Sequence, residues 1–131
     1  MNTEAIVTKI RNIIADNTNL ALTDVYTPDI PQDQDKENVC AVTLLGGNPN
    51  FNLCGMQDFS ITFRVLIKGT TNDTSTRALA DDIFNALNLK GDIELGSNKI
   101  IQILATTTPI FVGKDEELRN LYNITFNLKG R

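Results

Sequence analysis

The sequence predicts an α+β domain in which an antiparallel β-sheet carries two α-helices packed on one face. Two observations lead to this prediction: apolar residues recur at helical spacing in two segments, and they alternate with polar residues in three others. The predicted order is helix, strands, helix, strands, and short turns between consecutive strands favour antiparallel pairing. Because 131 residues is the usual length of one domain, we expect a single domain over residues 1–131.

The first helix is predicted over Thr3–Asn17. Its apolar residues fall at spacings of four, three and one and form a single stripe: Ile6, Ile10, Ile13 and Ile14. Asn2 or Thr3 can cap the start of this helix, and Glu4 suits the positive end of its dipole.

A short strand is predicted over Leu22–Tyr26, followed by an acidic connection over Thr27–Asn38. The connection reads TPDIPQDQDKEN, with two prolines and four acidic residues, which is typical of a loop. Two interpretations stay open for this segment: a solvated connection, or a surface for a charged partner.

The next strand is predicted over Val39–Leu45, and the Gly-Gly-Asn-Pro sequence after it is expected to end it. The loop that follows, Gly46–Gln57, is rich in Gly and Asn but contains three large apolar residues. Such residues on a loop either tuck onto the domain or contact a partner. They are Phe51, Leu53 and Met56.

The clearest strand in the sequence is Phe59–Lys68, where apolar and polar residues alternate over ten positions with Leu66 as the exception. One face of this strand must therefore be buried. Arg64 and Lys68 lie on the other face, which either meets solvent or packs against another copy of the chain.

A second helix is predicted after the polar turn Thr70–Ser75 and ends near Leu87. Asp73 or Ser75 is expected to cap its start. Its buried stripe consists of Leu79, Ile83, Phe84 and Leu87.

Two strands close the chain, Lys99–Thr107 and Leu118–Leu128. Between them lies the segment Thr108–Glu117, whose Gly113-Lys114-Asp115 suggests a turn. In the first, alternation places Ile101, Ile103 and Ala105 on one side and Ile100 and Leu104 on the other. The second ends almost at the terminus, so we expect it to lie at a sheet edge and to be able to pair with a partner strand.

Catalytic and metal sites are not expected. The chain has no histidine, which excludes Ser-His-Asp triads and most zinc sites, and its glycines do not have phosphate-loop spacing. The acidic run Asp115–Glu117 is interpreted as a solvated turn, with weak cation binding as the alternative. We therefore predict that the protein is not an enzyme and uses no cofactor and no metal.

The net charge and the two cysteines limit which partners and which cellular compartment we expect. The formal net charge of −4 argues against tight binding to nucleic-acid phosphates. No signal peptide is evident at the start, and no apolar segment reaches the ~20 residues of a membrane helix. We therefore expect both cysteines to be reduced, with Cys40 in the core and Cys54 on a loop.

Several local patterns, in order, resemble the tail-terminator and minor capsid (neck) proteins of tailed bacteriophages. After an amphipathic N-terminal helix come the strand and Gly-rich turn Val42–Gly47, and the strand Phe59–Gly69, FSITFRVLIKG. The Ala-rich helix Thr76–Leu87 follows directly. The end of the chain, Pro109–Glu116 leading into Asn120–Leu128, is similar to the P-x-F-x-G-[KR]-D-E ending of that group.

The resemblance implies a structural role in the virion, at the neck of the tail, after assembly in the host cytoplasm. Tail terminators typically form a hexameric ring that caps the tail tube, stops its polymerisation and joins the tail to the head connector. Expected partners are thus other copies of the chain, the tube protein and the connector. DNA is only passing cargo in the lumen, and no membrane is involved. A head-completion or minor capsid protein, and a monomeric ligand- or peptide-binding module, remain the alternatives.

Surface exposure suggests which residues contact other subunits or partners. The expected contact residues lie on the apolar loop, on the polar face of the central strand and around the last turn. They are Phe51, Leu53, Met56, Arg64, Lys68, Lys114, Asp115, Glu116 and Arg119.

Overall fold

The computed structural model describes residues 2–32, 34–51 and 57–131. Within these residues lie two α-helices, a short 3₁₀ helix at Leu22–Asp24 and seven strands. The helices are α1 (Thr3–Asn17) and α2 (Asp73–Leu87). The strands are β1 (Val25–Tyr26), β2 (Val39–Phe51), β3 (Gln57–Lys68), β4 (Gly91–Leu95), β5 (Asn98–Ala105), β6 (Ile110–Lys114) and β7 (Asn120–Gly130).

The strands form one sheet in the order β1-β2-β3-β7-β5-β4, and β6 pairs with β7 beside β5. Every pairing is antiparallel except that of β1 with β2, which is parallel. Both helices pack against one face of this sheet and against each other. The predicted α+β architecture is thus confirmed, with one parallel pair as the exception.

The core lies between the helices and the sheet and is built on β3 and β7. The period-two pattern of β3 is confirmed, because the five alternating apolar residues from Phe59 to Ile67, all except Leu66, are each at most 4% exposed. Phe63 stacks on Phe126 of β7, with ring centroids 5.0 Å apart. From α1, Ile6, Ile10 and Ile14 are fully buried, and each such side chain contributes about 2 kcal/mol through the hydrophobic effect.

Both helices begin at asparagine caps. The Asn2 side chain accepts a hydrogen bond from the backbone N–H of Ala5, so Asn2 is the cap of the two that were predicted, Asn2 and Thr3. For α2 the predicted caps, Asp73 and Ser75, are wrong: the Asn72 carboxamide accepts from the N–H groups of Thr74 and Ser75. No helix among the described residues is both long and apolar enough to cross a membrane.

The strand β2 is longer than predicted. It continues through Gly46 and Gly47 to Phe51, with a β-bulge between Leu44 and Gly47. A Cβ atom at Gly47 would lie 1.8 Å from the carbonyl oxygen of Ser60, so glycine permits close approach of the β2 and β3 backbones. The expected loop is therefore largely a hairpin, and the residues at its tip lie outside the described part of the chain.

The predicted side-chain alternation in β5 is wrong. A register shift between Ile100 and Gln102 places Ile100 and Ile103 in the core and leaves Ile101 and Leu104 exposed. A bulge inserts one residue into the strand, so the period of two is broken at that point.

The last strand is not at an edge, contrary to expectation. β7 pairs with β3 along one side and with β6 and then β5 along the other. The strands β4 and β6 were not predicted, and the predicted strand Leu22–Tyr26 is a 3₁₀ turn followed by the two-residue β1. The edges of the sheet are thus formed by the short strands β1, β4 and β6, which are held in position by the strands they pair with.

Candidate assembly surface

The strand β6 presents an apolar edge. It pairs with β7 on one side, and no described residue of the chain pairs with its other side. Three consecutive side chains, those of Ile110, Phe111 and Val112, are 47%, 49% and 51% exposed. Edge strands are usually protected by charged side chains or proline, so an exposed apolar run at an edge indicates a contact surface.

Contacts with β7 and α2 hold β6 in place. The Phe111 ring packs edge-to-face on Tyr122, with centroids 5.6 Å apart. The Tyr122 hydroxyl in turn donates a hydrogen bond of 2.6 Å to Oδ1 of Asp73 at the start of α2. A bulge between Phe111 and Gly113 sets Val112 outside the ladder, with Gly113 at a φ of +129° that favours glycine.

A second open edge lies on the opposite side of the sheet. The strand β1 pairs with β2 only at Cys40 and Ala41, and no described residue pairs with the outer side of β2 beyond Leu44. Leu45, in the β2 bulge, is 52% exposed. Nearby, the carboxylate of Asp29 is 71% exposed and lies 4.0 Å from Nη2 of Arg64. Each side of the sheet thus ends in an edge with exposed apolar residues.

The acidic connection folds back onto the sheet face opposite the helices, at one end of β3. Nζ of Lys68 donates a hydrogen bond of 2.6 Å to the carbonyl oxygen of Gln34. Arg119 donates from Nη1 to the carbonyl oxygen of Asp35 at 2.6 Å and from Nε to Oδ2 of Asp115 at 2.8 Å. We call these five residues the loop clamp, because they tie residues 34–35 to β3 and to the turn before β7.

The charges in the loop clamp shift each other's pKa values. Burial lowers the pKa of Lys68, and the nearby guanidinium of Arg119 lowers it further. Burial alone would raise the pKa of Asp115, but its hydrogen bonds from the backbone and side chain of Arg119 outweigh burial and lower it. The Asp115 carboxylate is therefore held ionised by Arg119.

An open cleft of about 500 Å³ lies beside the loop clamp, lined partly by Ile30, Leu66 and Glu116. A ligand-binding module would need free polar groups converging on such a cleft. Here the cations of Lys68 and Arg119 bind backbone and carboxylate oxygens of the chain itself. Among the residues that the structure describes, no group of acidic or cysteine side chains is arranged to hold a metal ion.

The residues predicted to make contacts fall into separate places. Lys68 and Arg119 were expected to be exposed, and this is wrong: they are 5% and 7% exposed, because residues 34–35 cover them. Asp115 belongs to the same clamp, while Lys114 and Glu116 are exposed beside it.

The other predicted contacts lie elsewhere. Arg64 is half-buried on the face opposite the helices. Phe51 ends β2, where the structure describes the backbone but not the side chain, and Leu53 and Met56 lie outside the described residues. Whether any of these residues contacts another subunit stays a prediction.

The sequence reasoning missed both apolar edges. Residues Ile110–Lys114 fall in the connection Thr108–Glu117, where Gly113-Lys114-Asp115 suggested a turn, although Ile-Phe-Val is a β-favouring run. That run was the available signal. The sequence contains no comparable signal for Leu45, because its exposure arises from a bulge in β2.

Comparison with known proteins decides the family. A family model described as bacteriophage tail terminator protein matches residues 12–130. The chain belongs to this family. A tail terminator is a structural protein of the phage tail, so the predicted resemblance and the structural role in the virion are confirmed at that level.

The fold of this tail-terminator family member also occurs in a solved particle. A chain from the virion of a native gene transfer agent matches with a TM-score of 0.64 at 12% identity, over 95% of this chain and 96% of that one. At this identity the match shows a shared fold. No curated protein sequence gives a significant match.

Proposed function

We propose that the protein forms a closed ring that caps the tail tube, stops its polymerisation and joins the tail to the head connector. The match of the tail-terminator family to residues 12–130 is the observation that carries this proposal. The ring acts at the neck of the virion after assembly in the host cytoplasm. Its partners are further copies of the chain, most simply six in all, the tube protein and the connector.

The two open edges of the sheet support a ring. In a ring, every subunit uses two different surfaces, and each contacts the complementary surface of a neighbour. The β6 edge and the β2 edge lie on opposite sides of one sheet. Both carry exposed apolar side chains, whose burial between subunits would drive association.

The charge of the chain suits a ring through which DNA passes. The net charge of −4 per subunit disfavours binding to phosphates, so DNA would not be held back in the lumen. Exposed Lys114 and Glu116 beside the loop clamp, together with Arg64, remain the proposed polar contacts with neighbouring subunits or the tube.

Tail length measured by electron microscopy tests this function. Particles assembled without the protein should carry overlong tubes, because nothing stops polymerisation, and supplying the wild-type chain should restore a uniform length. Tails of normal length on defective or leaking heads would contradict the proposal and would instead indicate a head-completion protein.

A further inference from the structure

We infer that the end of the β2–β3 hairpin of one copy, residues 51–57, docks on the apolar edge of β6 in the next copy. We call these residues the hairpin end. This inference rests on the proposed ring and names the contact that would close it. The occupant of the β6 edge is thus a second copy of this chain.

The β6 edge is apolar and uncharged. Besides Ile110, Phe111 and Val112, the turn that follows β6 carries Leu118, which is 63% exposed. Residues 100–113 contain no charged side chain. Charged residues are depleted at the centres of protein interfaces, because burying an unpaired charge costs free energy. This edge therefore suits burial against another apolar segment.

The hairpin end has a matching composition. Phe51 and Gln57 form the last pair of the β2–β3 ladder, and residues 52–56 connect them. Residues 46–57 contain no charged side chain. The large apolar residues of the hairpin end are Phe51, Leu53 and Met56. Contact with the β6 edge would remove apolar side chains of both surfaces from water, which drives association.

The two surfaces are too far apart to meet within one copy. Phe111 is level with Ile67 of β3 through Tyr122 of β7, whereas the hairpin end joins β3 at Gln57. Along β3 these two levels are about 34 Å apart. A connection of five residues spans at most about 18 Å even when fully extended, so the contact requires a second copy.

The direction of the contact follows from the same levels. A rotation about an axis parallel to the strands keeps every residue at its level, so it cannot bring the hairpin end to β6. The two surfaces meet when the ring axis crosses the strand direction, because one end of each sheet then follows the opposite end of its neighbour around the ring. Each subunit uses two different surfaces, as a closed ring requires.

Disulfide formation at native Cys54 in assembled tails tests the contact. Cys54 belongs to the hairpin end, and Val112→Cys adds a thiol to β6 at a position that is 51% exposed. Cys40 is buried, and burial raises its pKa to about 12, so its thiol stays unreactive. A disulfide needs Cα atoms within about 7 Å, so the thiols at positions 54 and 112 join only between copies.

Mild oxidation of tails that carry Val112→Cys should give a ladder of covalent oligomers, and its longest member should equal the number of subunits in the ring. Adding Cys54→Ser should abolish the ladder. Leu22→Cys with native Cys54 is the matched control, because Leu22 is 44% exposed and lies at the same end of the sheet, but beside β1. This control should give no ladder.

A charge exchange gives a second readout. In the Val112→Cys chain, Leu53→Asp should reduce the ladder about tenfold, because an unpaired charge would enter the apolar contact. Adding Ile110→Lys should restore most of the ladder, since the new ammonium would pair with the new carboxylate across the contact. Thermal unfolding of both variants checks that the fold is intact.

Three results would overturn the inference. Dimers that persist with Cys54→Ser would mean that two β6 edges meet. Equal ladders from Val112→Cys and Leu22→Cys, or a disulfide that joins Val112→Cys to a different protein, would mean that the hairpin end does not occupy this edge. Absence of a ladder from tails of normal length would refute the contact and leave the terminator function intact, whereas failure of the function itself shows in tail length.

Discussion

At the scale of single residues, Arg119 joins two parts of the chain that are distant in sequence. Its guanidinium binds Asp115 four positions away and the backbone of Asp35, which is 84 positions away. Because its side chain is only 9% exposed, its hydrogen bonds are largely shielded from competing water. The acidic connection is thus a structural clamp at residues 34–35 in addition to being a surface loop.

Replacing Arg119 should loosen this clamp. We expect Arg119→Met to lower the Tm by several degrees and to speed amide exchange of residues 34–36, because the half-buried Asp115 carboxylate loses its cation. Arg77→Met is the matched control: Arg77 also pairs with an aspartate four residues away, Asp73, but its side chain is 62% exposed. Equal effects of the two substitutions, measured by calorimetry, would contradict the role of Arg119.

The pH dependence of the same comparison has a definite sign. The folded-state pKa of Asp115 lies below its ordinary value of 3.8, so its contribution to stability is present above that value and is lost as the pH falls through the folded-state pKa. The Tm difference between wild type and Arg119→Met should therefore be full at neutral pH and shrink in acid below 3.8. A difference that grows in acid would exclude this pairing.

Sequence reasoning named Lys68, Asp115 and Arg119 as contact residues. It wrongly expected Lys68 and Arg119 to be exposed. Their burial depends on residues 34–35 folding back over them, a long-range contact that no local pattern encodes. Cys40 shows the opposite case. Its place in an apolar run predicted burial, which is confirmed, and burial, with a smaller effect of Asp24, raises its pKa to about 12.

At the scale of elements, periodicity predicted those with strong one-sided patterns. Four elements each bury one complete face: the helices α1 and α2 and the strands β3 and β7. The spacing of their apolar residues is therefore enough to predict them. The five-residue strands β4 and β6 bury little and owe their existence to β5 and β7. Bulges in β2 and β5 also escaped prediction, because an inserted residue leaves no signature in hydrophobicity.

The β2 bulge offers a test at this scale. Gly47→Ala should lower the free energy of unfolding by about 3 kcal/mol, because the new methyl group meets the Ser60 carbonyl and the backbones must separate. Gly96→Ala is the control, with no atom within 4 Å of the new Cβ and only its positive φ to oppose the change, a cost of about 1 kcal/mol. Urea denaturation of both variants measures the difference, and equal midpoints would argue against close packing at Gly47.

At the scale of the whole molecule, the strand order of the sheet ends in β1 on one side, which leaves part of β2 open, and in β4 and β6 on the other. Sequence reasoning expected the last strand to lie at an edge of the sheet. Instead, β7 is paired on both sides, and β6 lies outside it at the edge. The family resemblance was sufficient to identify a tail terminator, whereas the position of the open edges required the three-dimensional pairing of strands far apart in sequence.

Cryo-electron microscopy of intact tails tests the central claim most directly, because it locates the chain in the particle. We expect one closed ring of this fold at the head-proximal end of the tube. Density for the chain inside the head, along the tube wall or at the distal tip would contradict the account.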